Sequence, residues 1–344
     1  MKKANIINLI KYYSEKNDSG FRHEAYEIAK NFDKMGDYQL AEYIMALLSE
    51  ANTFTVQEAE IKSEFLNEIS DSNKTLPLPE DIEADILGVI NAIRRNIGIN
   101  KILFEGAPGT GKTETVKHMA RILDRKLYIV DFSRVIDSRL GQTSKNISSL
   151  FDQINSFINP EKIMILFDEI DAIALNRVDS NDLREMGRAT STLLRRFDNL
   201  NENIVIIATT NLFESFDKAL IRRFDSIVDF NRYSDEDLME ISEIMLNEYM
   251  NKMKISGRNI RIFRKIMKLY EKMPYPGELK NIIKTSIAFS DIDDEYDYLK
   301  RLYKSVYKGS ITIKKLQEQG FTLREIEILT GISKSSVSRE LKEV

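Results

Sequence analysis

Gly106-Ala107-Pro108-Gly109-Thr110-Gly111-Lys112-Thr113 stands directly between an apolar burst, Lys101 to Glu105 (KILFE), and a helix-forming stretch, Glu114 to Leu123. A glycine-rich turn that leaves a buried strand and enters a helix within eight residues suits few architectures. The parallel α/β layer puts strand, loop and helix in that order. The glycines let backbone N–H groups turn inward around a polyphosphate, and the helix N-terminus adds the positive end of its dipole. Gly106, Ala107, Pro108, Gly109, Thr110 and Gly111 are therefore candidate phosphate-cradling residues. Lys112 is placed to reach the β- and γ-phosphates, and Thr113 to offer its hydroxyl to Mg²⁺.

Further bursts at Lys126 to Asp131, Lys162 to Asp168, Asn203 to Thr209 and Ser226 to Phe230 alternate with longer helical segments. Runs of Ile, Val and Leu without polar alternation read as strands buried on both faces, so a parallel sheet covered by helices is expected over 78–233. From Ser234 helical spacing returns (Leu238, Ile241, Ile244, Met245, then Ile262, Ile266, Leu269), predicting a helical subdomain over 234–300. Upstream, Ser70 to Pro79 (SDSNKTLPLP) joins turn formers to two of the six prolines and reads as a boundary. Before it, Phe21, Ala25, Ile28, Ala29 and Phe32, then Leu40, Ala41, Ile44, Leu47 and Leu48, recur at helical spacing. They predict a helical docking domain over 1–72.

Composition narrows the chemistry. The 344 residues leave room for two or three units of roughly 150 residues. With 42% hydrophobic and 30% charged residues the chain is not of the disordered class. The lack of cysteine excludes disulfides, thiolate zinc sites, iron-sulfur ligation and a cysteine nucleophile, and His23 and His118 alone exclude a multi-histidine metal centre. The longest apolar runs, Ile163 to Phe167 and Ile204 to Ala208, are about five residues, against the roughly 18 to 20 of a membrane span. Asn5, Asn8 and Lys11 interrupt the basic start, so it does not read as a secretory signal, and a cytoplasmic protein without membrane contact is expected. The net charge of -4 argues against general coating by nucleic acid. The last 44 residues, however, hold nine Lys and Arg against five Glu, a local net of +4.

Two strands beyond the glycine-rich loop, Met164-Ile165-Leu166-Phe167-Asp168-Glu169 sets two carboxylates at the C-terminal end of a burst, where ligands of parallel sheets gather. Asp168 is the candidate to hold Mg²⁺, and Glu169 to orient or deprotonate the attacking water. The next burst ends in Ala208-Thr209-Thr210-Asn211, whose Asn211 amide can position that water or simply form a turn. In Phe216 to Asp225 (FDKALIRRFD), Arg222 and Arg223 stand at a helix end. They cap it or pair with Asp225, or they reach the nucleotide of an adjacent subunit.

GAPGTGKT, ILFDEIDAIA, IIATTN and FDKALIRRFD, in that order within about residues 78 to 290, resemble the AAA+ ATPases, and within them the classical AAA branch. The resemblance implies a P-loop NTPase parallel sheet core with a helical lid, ATP and Mg²⁺ as cofactors, and hydrolysis at the subunit interfaces of a homo-oligomeric, usually hexameric ring. It makes Lys112 and Thr113 the Walker A pair, Asp168 and Glu169 the Walker B pair, Asn211 sensor 1, and Arg222 and Arg223 arginine fingers. Gly277, in Tyr275 to Asn281 (YPGELKN), falls where many branches carry a sensor 2 arginine. The family commonly separates its two arginines by a Pro-Gly type insertion missing here, which leaves open which one reaches the phosphate. Ser138 to Thr143 resembles the central pore loop, with Arg139 at the aromatic position followed by Leu140 and Gly141. Arg139 replaces part of an aromatic grip with charge; a plain surface loop turned by Gly141 is the other reading.

Leu316 to Leu341 resembles a helix-turn-helix within a C-terminal module over 309–344. Thr322 and Ser333 are placed to cap its helices and Gly331 to end the first. Ile326, Ile332, Val337 and Leu341 would fill its core, leaving Lys334, Ser335, Ser336, Ser338 and Arg339 to face DNA; a protein-docking tail is the alternative. The front, with Phe21-Arg22-His23-Glu24-Ala25 and Met35 to Ala41, is similar to bacterial AAA ATPases encoded beside subtilisin-like proteases and linked to phage defence, which implies a separate protease as partner. Two functions follow. One is a ring ATPase that remodels a protein or protein–DNA client and is targeted to DNA by its tail. The other is an ATP-switched regulator that binds DNA or a partner and is reset by slow hydrolysis.

Overall fold

The computed structural model describes residues 3–14, 17–48, 63–69, 77–137, 139, 141–174, 182–255, 257–291 and 293–342. They fall into two compact units, Met1–Ser63 and Glu64–Val344. The first is helical: α1 (Lys3–Ser14), α2 (Asp18–Lys34) and α3 (Tyr38–Leu48). The Asn17 side chain caps α2 by accepting from the Gly20 N–H at 2.9 Å. Ala25, Ile28, Ala29 and Ala41 are buried, and the three alanines allow close helix approach. Leu40, placed on the inner face by spacing, is instead exposed, because it lies about 100° around the helix from the buried Ala41. The Leu47 side chain lies outside the described residues.

The second unit opens with β1 (Leu66–Ile69), α4 (Glu80–Arg94), β2 (Lys101–Glu105), α5 (Lys112–Ile122), β3 (Lys126–Val130), α6 (Phe132–Val135) and α7 (Gln142–Asn155). It continues with β4 (Ile163–Phe167), α8 (Asp171–Ala174), α9 (Asp182–Asp198), β5 (Val205–Thr210), α10 (Lys218–Ile221) and β6 (Ser226–Asp229). The six strands run in the order β1-β3-β4-β5-β2-β6, the P-loop NTPase arrangement. All pairs are parallel except the edge strand β1, which runs antiparallel to β3. Strand β1 precedes Ser70 to Pro79, so the sheet begins upstream of the domain boundary expected at residue 72. Alternate residues point to opposite faces. Leu103, Ile165, Phe167 and Ile206 pack with Phe151 of α7 and Phe197 of α9, while Ile102, Phe104, Met164 and Ile207 pack with Ile86 of α4 and Met119 of α5. Burial on both faces is why these strands read as unbroken apolar runs.

The register brings three strand ends level: Phe104 lies opposite Thr209, Glu105 opposite Thr210, and Phe167 opposite Ala208. The loops that follow β2, β4 and β5 therefore meet at one edge of the sheet.

After β6 come α11 (Asp235–Met253), α12 (Ile260–Met267), α13 (Pro276–Ala288) and α14 (Asp297–Val306), then α15 (Ile313–Glu318), α16 (Leu323–Thr330) and α17 (Lys334–Glu340). Thr322 and Ser333 cap α16 and α17, and Gly331 ends α16 at φ 75°. Residues 309–344 do not build a core of their own. Leu316, Phe321, Ile326 and Val337 belong to the same buried cluster as Leu238, Phe263, Leu299 and Tyr303. Leu341 packs against that cluster, whereas Ile332, expected inside, is 39% exposed. It follows the left-handed turn at Gly331, and Phe321 and Leu329 are buried in its place. No helix among the described residues is long and apolar enough to cross a membrane.

A buried carboxylate ties the terminal helices to α12. Glu325 accepts from Lys265 Nζ at 2.6 Å and from its own cap, the Thr322 N–H, at 2.7 Å, and pairs with Arg261 Nε at 3.2 Å. Burial pushes Glu325 up, but the bonds from Lys265 and Thr322 outweigh it and hold the carboxyl below the ordinary glutamate range. The stabilisation is therefore present above the unfolded pKa and is lost as pH falls through the depressed folded value. Glu325→Ala is expected to cost about 1 to 2 kcal/mol, because Arg261 and Lys265 can turn to water while the Thr322 N–H loses its acceptor. Hydrogen exchange of the amides in α15 to α17 should quicken; unchanged protection would contradict the clamp.

Candidate active site

The phosphate loop runs from β2 into α5 and is held open from behind. Gly106 has φ 147°, and a Cβ there would lie 3.0 Å from Phe230 Cβ. The Ala107 N–H donates to Asn231 Oδ1 at 2.9 Å, Thr110 Oγ1 donates to the Ala107 carbonyl at 2.9 Å, and the Tyr233 hydroxyl donates to the Thr110 carbonyl at 2.7 Å. Burial pushes the Tyr233 phenol upward, so it stays a donor. Gly111 is the left-handed N-cap of α5. Pro108 and Gly109 are the exposed crest of the turn. On the far side, α13 begins against the loop: the Gly277 N–H donates to the Gly109 carbonyl at 2.8 Å, and a Cβ on Gly277 would lie 2.8 Å from Gly109 Cα. Only two bare backbones approach so closely, which is the local reason for glycine at both positions.

Lys112 is 7% exposed and points back into the loop. Its Nζ donates to the Gly106 carbonyl at 2.5 Å, the Ala107 carbonyl at 3.0 Å and Asn211 Oδ1 at 2.8 Å. Burial pushes the Lys112 ammonium down, and the carboxylates of Asp168, Asp171 and Glu169 push it back up. Thr113 Oγ1 donates to Asp168 at 3.0 Å. Asp168 also accepts from Thr209 Oγ1 at 2.6 Å, and the same Thr209 oxygen accepts from the Glu169 N–H at 2.9 Å. Glu169 is held at φ 51°, a conformation that costs a non-glycine residue about 1 to 3 kcal/mol and collects at functional sites. Its Oε1 accepts from Asn211 Nδ2 at 3.3 Å.

The sheet edge thus brings Lys112, Thr113, Asp168, Glu169 and Asn211 together. Thr113 and Asp168 supply one hydroxyl and one carboxylate, the set Mg²⁺ uses when phosphates and water complete its octahedron. Among the described residues no three His, Asp or Glu side chains group to hold a metal unaided.

Other expected residues lie elsewhere. Arg222 is the exposed C-cap of α10, and Arg223 Nε pairs with Asp198 at 2.7 Å. Asp225, a sequence-based partner for these arginines, instead accepts from the Asn100 and Lys101 N–H groups at 3.0 and 2.8 Å and so fastens the start of β2. Arg139 is exposed, its N–H donating to Asp137 Oδ1 at 2.8 Å, and Gly141 is the left-handed N-cap of α7 at φ 77°. Leu140 lies outside the described residues. On α17, Lys334, Ser335, Ser336 and Arg339 are exposed and Ser338 is half-buried. Sequence reasoning passed over Asn231, Tyr233, Thr209 and Asp171. Each acts through hydrogen bonds to residues far along the chain, which leaves no spacing signal.

Residues 102–232 match the family model described as ATPase family associated with various cellular activities (AAA). The "Uncharacterized AAA family ATPase y4kL" of Sinorhizobium fredii is 37% identical over 155 residues, covering 43% of this chain and 46% of the relative. A "Putative 26S proteasome regulatory subunit homolog" of Methanothermobacter thermautotrophicus is 33% identical, covering 44% and 40% respectively, and a "Putative pachytene checkpoint protein 2" of Caenorhabditis elegans is 32% identical, covering 43% and 41%. The chain spans less than half the length of these relatives. The solved E. coli MS115-1 HORMA:CdnC:Trip13 complex contains a chain of like fold, with TM-score 0.56 and 18% identity over 72% of this chain and 96% of that one. The family match and the ATPase-named relatives support ATP hydrolysis by this domain.

Proposed function

We propose that this chain hydrolyses ATP with Mg²⁺ and uses the cycle to remodel a macromolecular client, acting as a ring of identical subunits. The convergence of Lys112, Thr113, Asp168, Glu169 and Asn211 at one sheet edge carries the reading. Lys112 exchanges its two loop carbonyls for phosphate oxygens. Thr113 and Asp168 would hold Mg²⁺, which would supply positive charge against the phosphates. Glu169 takes the proton of the water that attacks the γ-phosphorus as the bond to the β–γ bridging oxygen breaks, and the Asn211 amide orients that water. Gly277 brings the lid against the loop. Arg222, exposed and at a helix end, is the arginine offered to a neighbouring subunit's nucleotide, while Arg223 is engaged by Asp198. Arg139 and Gly141, with Leu140, form the client-facing loop.

Relatives named for proteasome regulation, and a structural neighbour solved with other proteins, support a protein as client. The front's similarity to ATPases encoded beside subtilisin-like proteases carries a separate protease as partner, which co-purification tests. Phosphate release measured alongside particle size separates two readings: fast turnover in a client-stimulated ring favours remodelling, and slow turnover that only changes assembly favours the ATP-switched regulator.

Exposed Lys334, Ser335, Ser336 and Arg339, with Ser338, on a capped helix favour DNA as what the tail binds. Deleting 309–344 is a poor test, since it strips Leu316, Phe321, Ile326 and Val337 from the lid's core. The double substitution Lys334→Glu with Arg339→Glu leaves that core intact. It is expected to weaken duplex binding at least about tenfold and to flatten the salt dependence by about two units of log–log slope. Equal affinity would sink the tail assignment.

A further inference from the structure

Two threonines at the end of β5 are stapled to the turn after β4. Thr209 donates to Asp168, inside the pair of carboxylates already described. Thr210 donates to Asp171, which lies two residues beyond Glu169 and is only 7% exposed. The other Asp171 oxygen accepts from the Asn211 backbone N–H at 3.0 Å. Thr210 Oγ1 in turn accepts from the Leu212 N–H at 3.1 Å. A single buried carboxylate thus receives two donors from the strand end and, through Thr210, governs a third. These groups fix the backbone on both sides of Asn211, whose side chain bridges Lys112 Nζ and Glu169 Oε1.

We propose that Asp171 is a positioning residue for hydrolysis: it holds the backbone of Asn211 so that the amide stays beside Glu169 and the γ-phosphate end of the loop. This rests on the ATPase reading above. Asp171 has no path to the nucleotide itself, because both of its oxygens face β5. Losing it leaves the loop, Thr113 and the two loop carbonyls that accept from Lys112 in place, and it frees the buried Thr210 hydroxyl and Asn211 N–H to seek other acceptors, so the amide drifts. Nucleotide binding depends on the loop and turnover depends on the amide, so the two should separate.

The test uses the full chain and three variants, with phosphate release giving kcat and equilibrium titration giving ATP affinity. Asp171→Ala is expected to lower kcat about 10- to 100-fold, the range typical of supporting-shell losses, with affinity changed less than about threefold. Asp171→Asn keeps an oxygen for the Asn211 N–H and an amide that can donate to Thr210 Oγ1, so it should recover most of that loss. Thr210→Val removes one donor of the two and should fall between. A folded Asp171→Ala protein with wild-type kcat overturns the proposal, as does a parallel fall in affinity and kcat. Should Asp171→Ala not fold, wild-type kcat in Thr210→Val overturns it equally. A wild-type chain without turnover overturns the ATPase reading and the proposal together, and full activity in Glu169→Gln removes Glu169 from its role and overturns the proposal, which places the amide beside it. With an active wild type and an inactive Glu169→Gln the ATPase reading stands, and the Asp171 variants then bear on the positioning role alone.

Discussion

Glu169→Gln binds ATP and scarcely turns it over: kcat is expected to fall about 10²- to 10⁴-fold, the usual contribution of a positioned general base. The substitution suits this site. Glutamine has the same length and keeps an oxygen to accept from Asn211 Nδ2, now at 3.3 Å from Glu169 Oε1. The backbone at φ 51° and its bond to Thr209 Oγ1 do not depend on the carboxylate. What disappears is the proton acceptor alone. The affinity for ATP should therefore be held, and the complex should persist. Phosphate release and equilibrium binding on the same preparation check both halves. Turnover equal to wild type would remove Glu169 from its assigned role.

Lys112→Ala should abolish nucleotide binding while leaving the chain folded. The ammonium is buried and donates to two loop carbonyls and to Asn211. These bonds aim the ammonium into the loop, and its desolvated charge is the means of drawing a polyanion in. Without it, backbone N–H groups and the dipole of α5 remain, too weak to offset the γ-phosphate charge. At a ligand concentration about 100 times Kd, the wild-type protein gains about 2.7 kcal/mol from ATP. For a chain of this size that is a rise in Tm of several degrees. The variant should show none at the same concentration, with its own Tm close to the ligand-free wild type. A retained shift would refute the assignment of Lys112.

The strands that build the site were readable because burial on both faces strips them of polar residues, and the loop because its glycines leave no alternative at that spacing. Edge strand β1 was not. It is short and, as Leu66-Asn67-Glu68-Ile69, carries polar residues at its centre, as suits a strand paired on one side only. The caps Thr322, Gly331 and Ser333 were local and legible, since each acts within a few residues of itself. The surroundings of the tail have no such local signal: whether Phe321 and Ile326 close a core of their own or complete another depends on what lies against them, and here that is α12 and α14.

The same division runs through the whole protein. Chain order alone determined the phosphate loop, the carboxylate pair and the alternation of strand and helix, because these are fixed by contacts between near neighbours and by the period of apolar residues. Only the tertiary structure decided that Asp171 and Thr210 hold Asn211, that Arg223 is engaged by Asp198 while Arg222 is exposed, and that the terminal helices share the lid's core. Those outcomes depend on which strand ends the parallel register sets level and which faces are left to be covered, and distance along the chain says nothing about either.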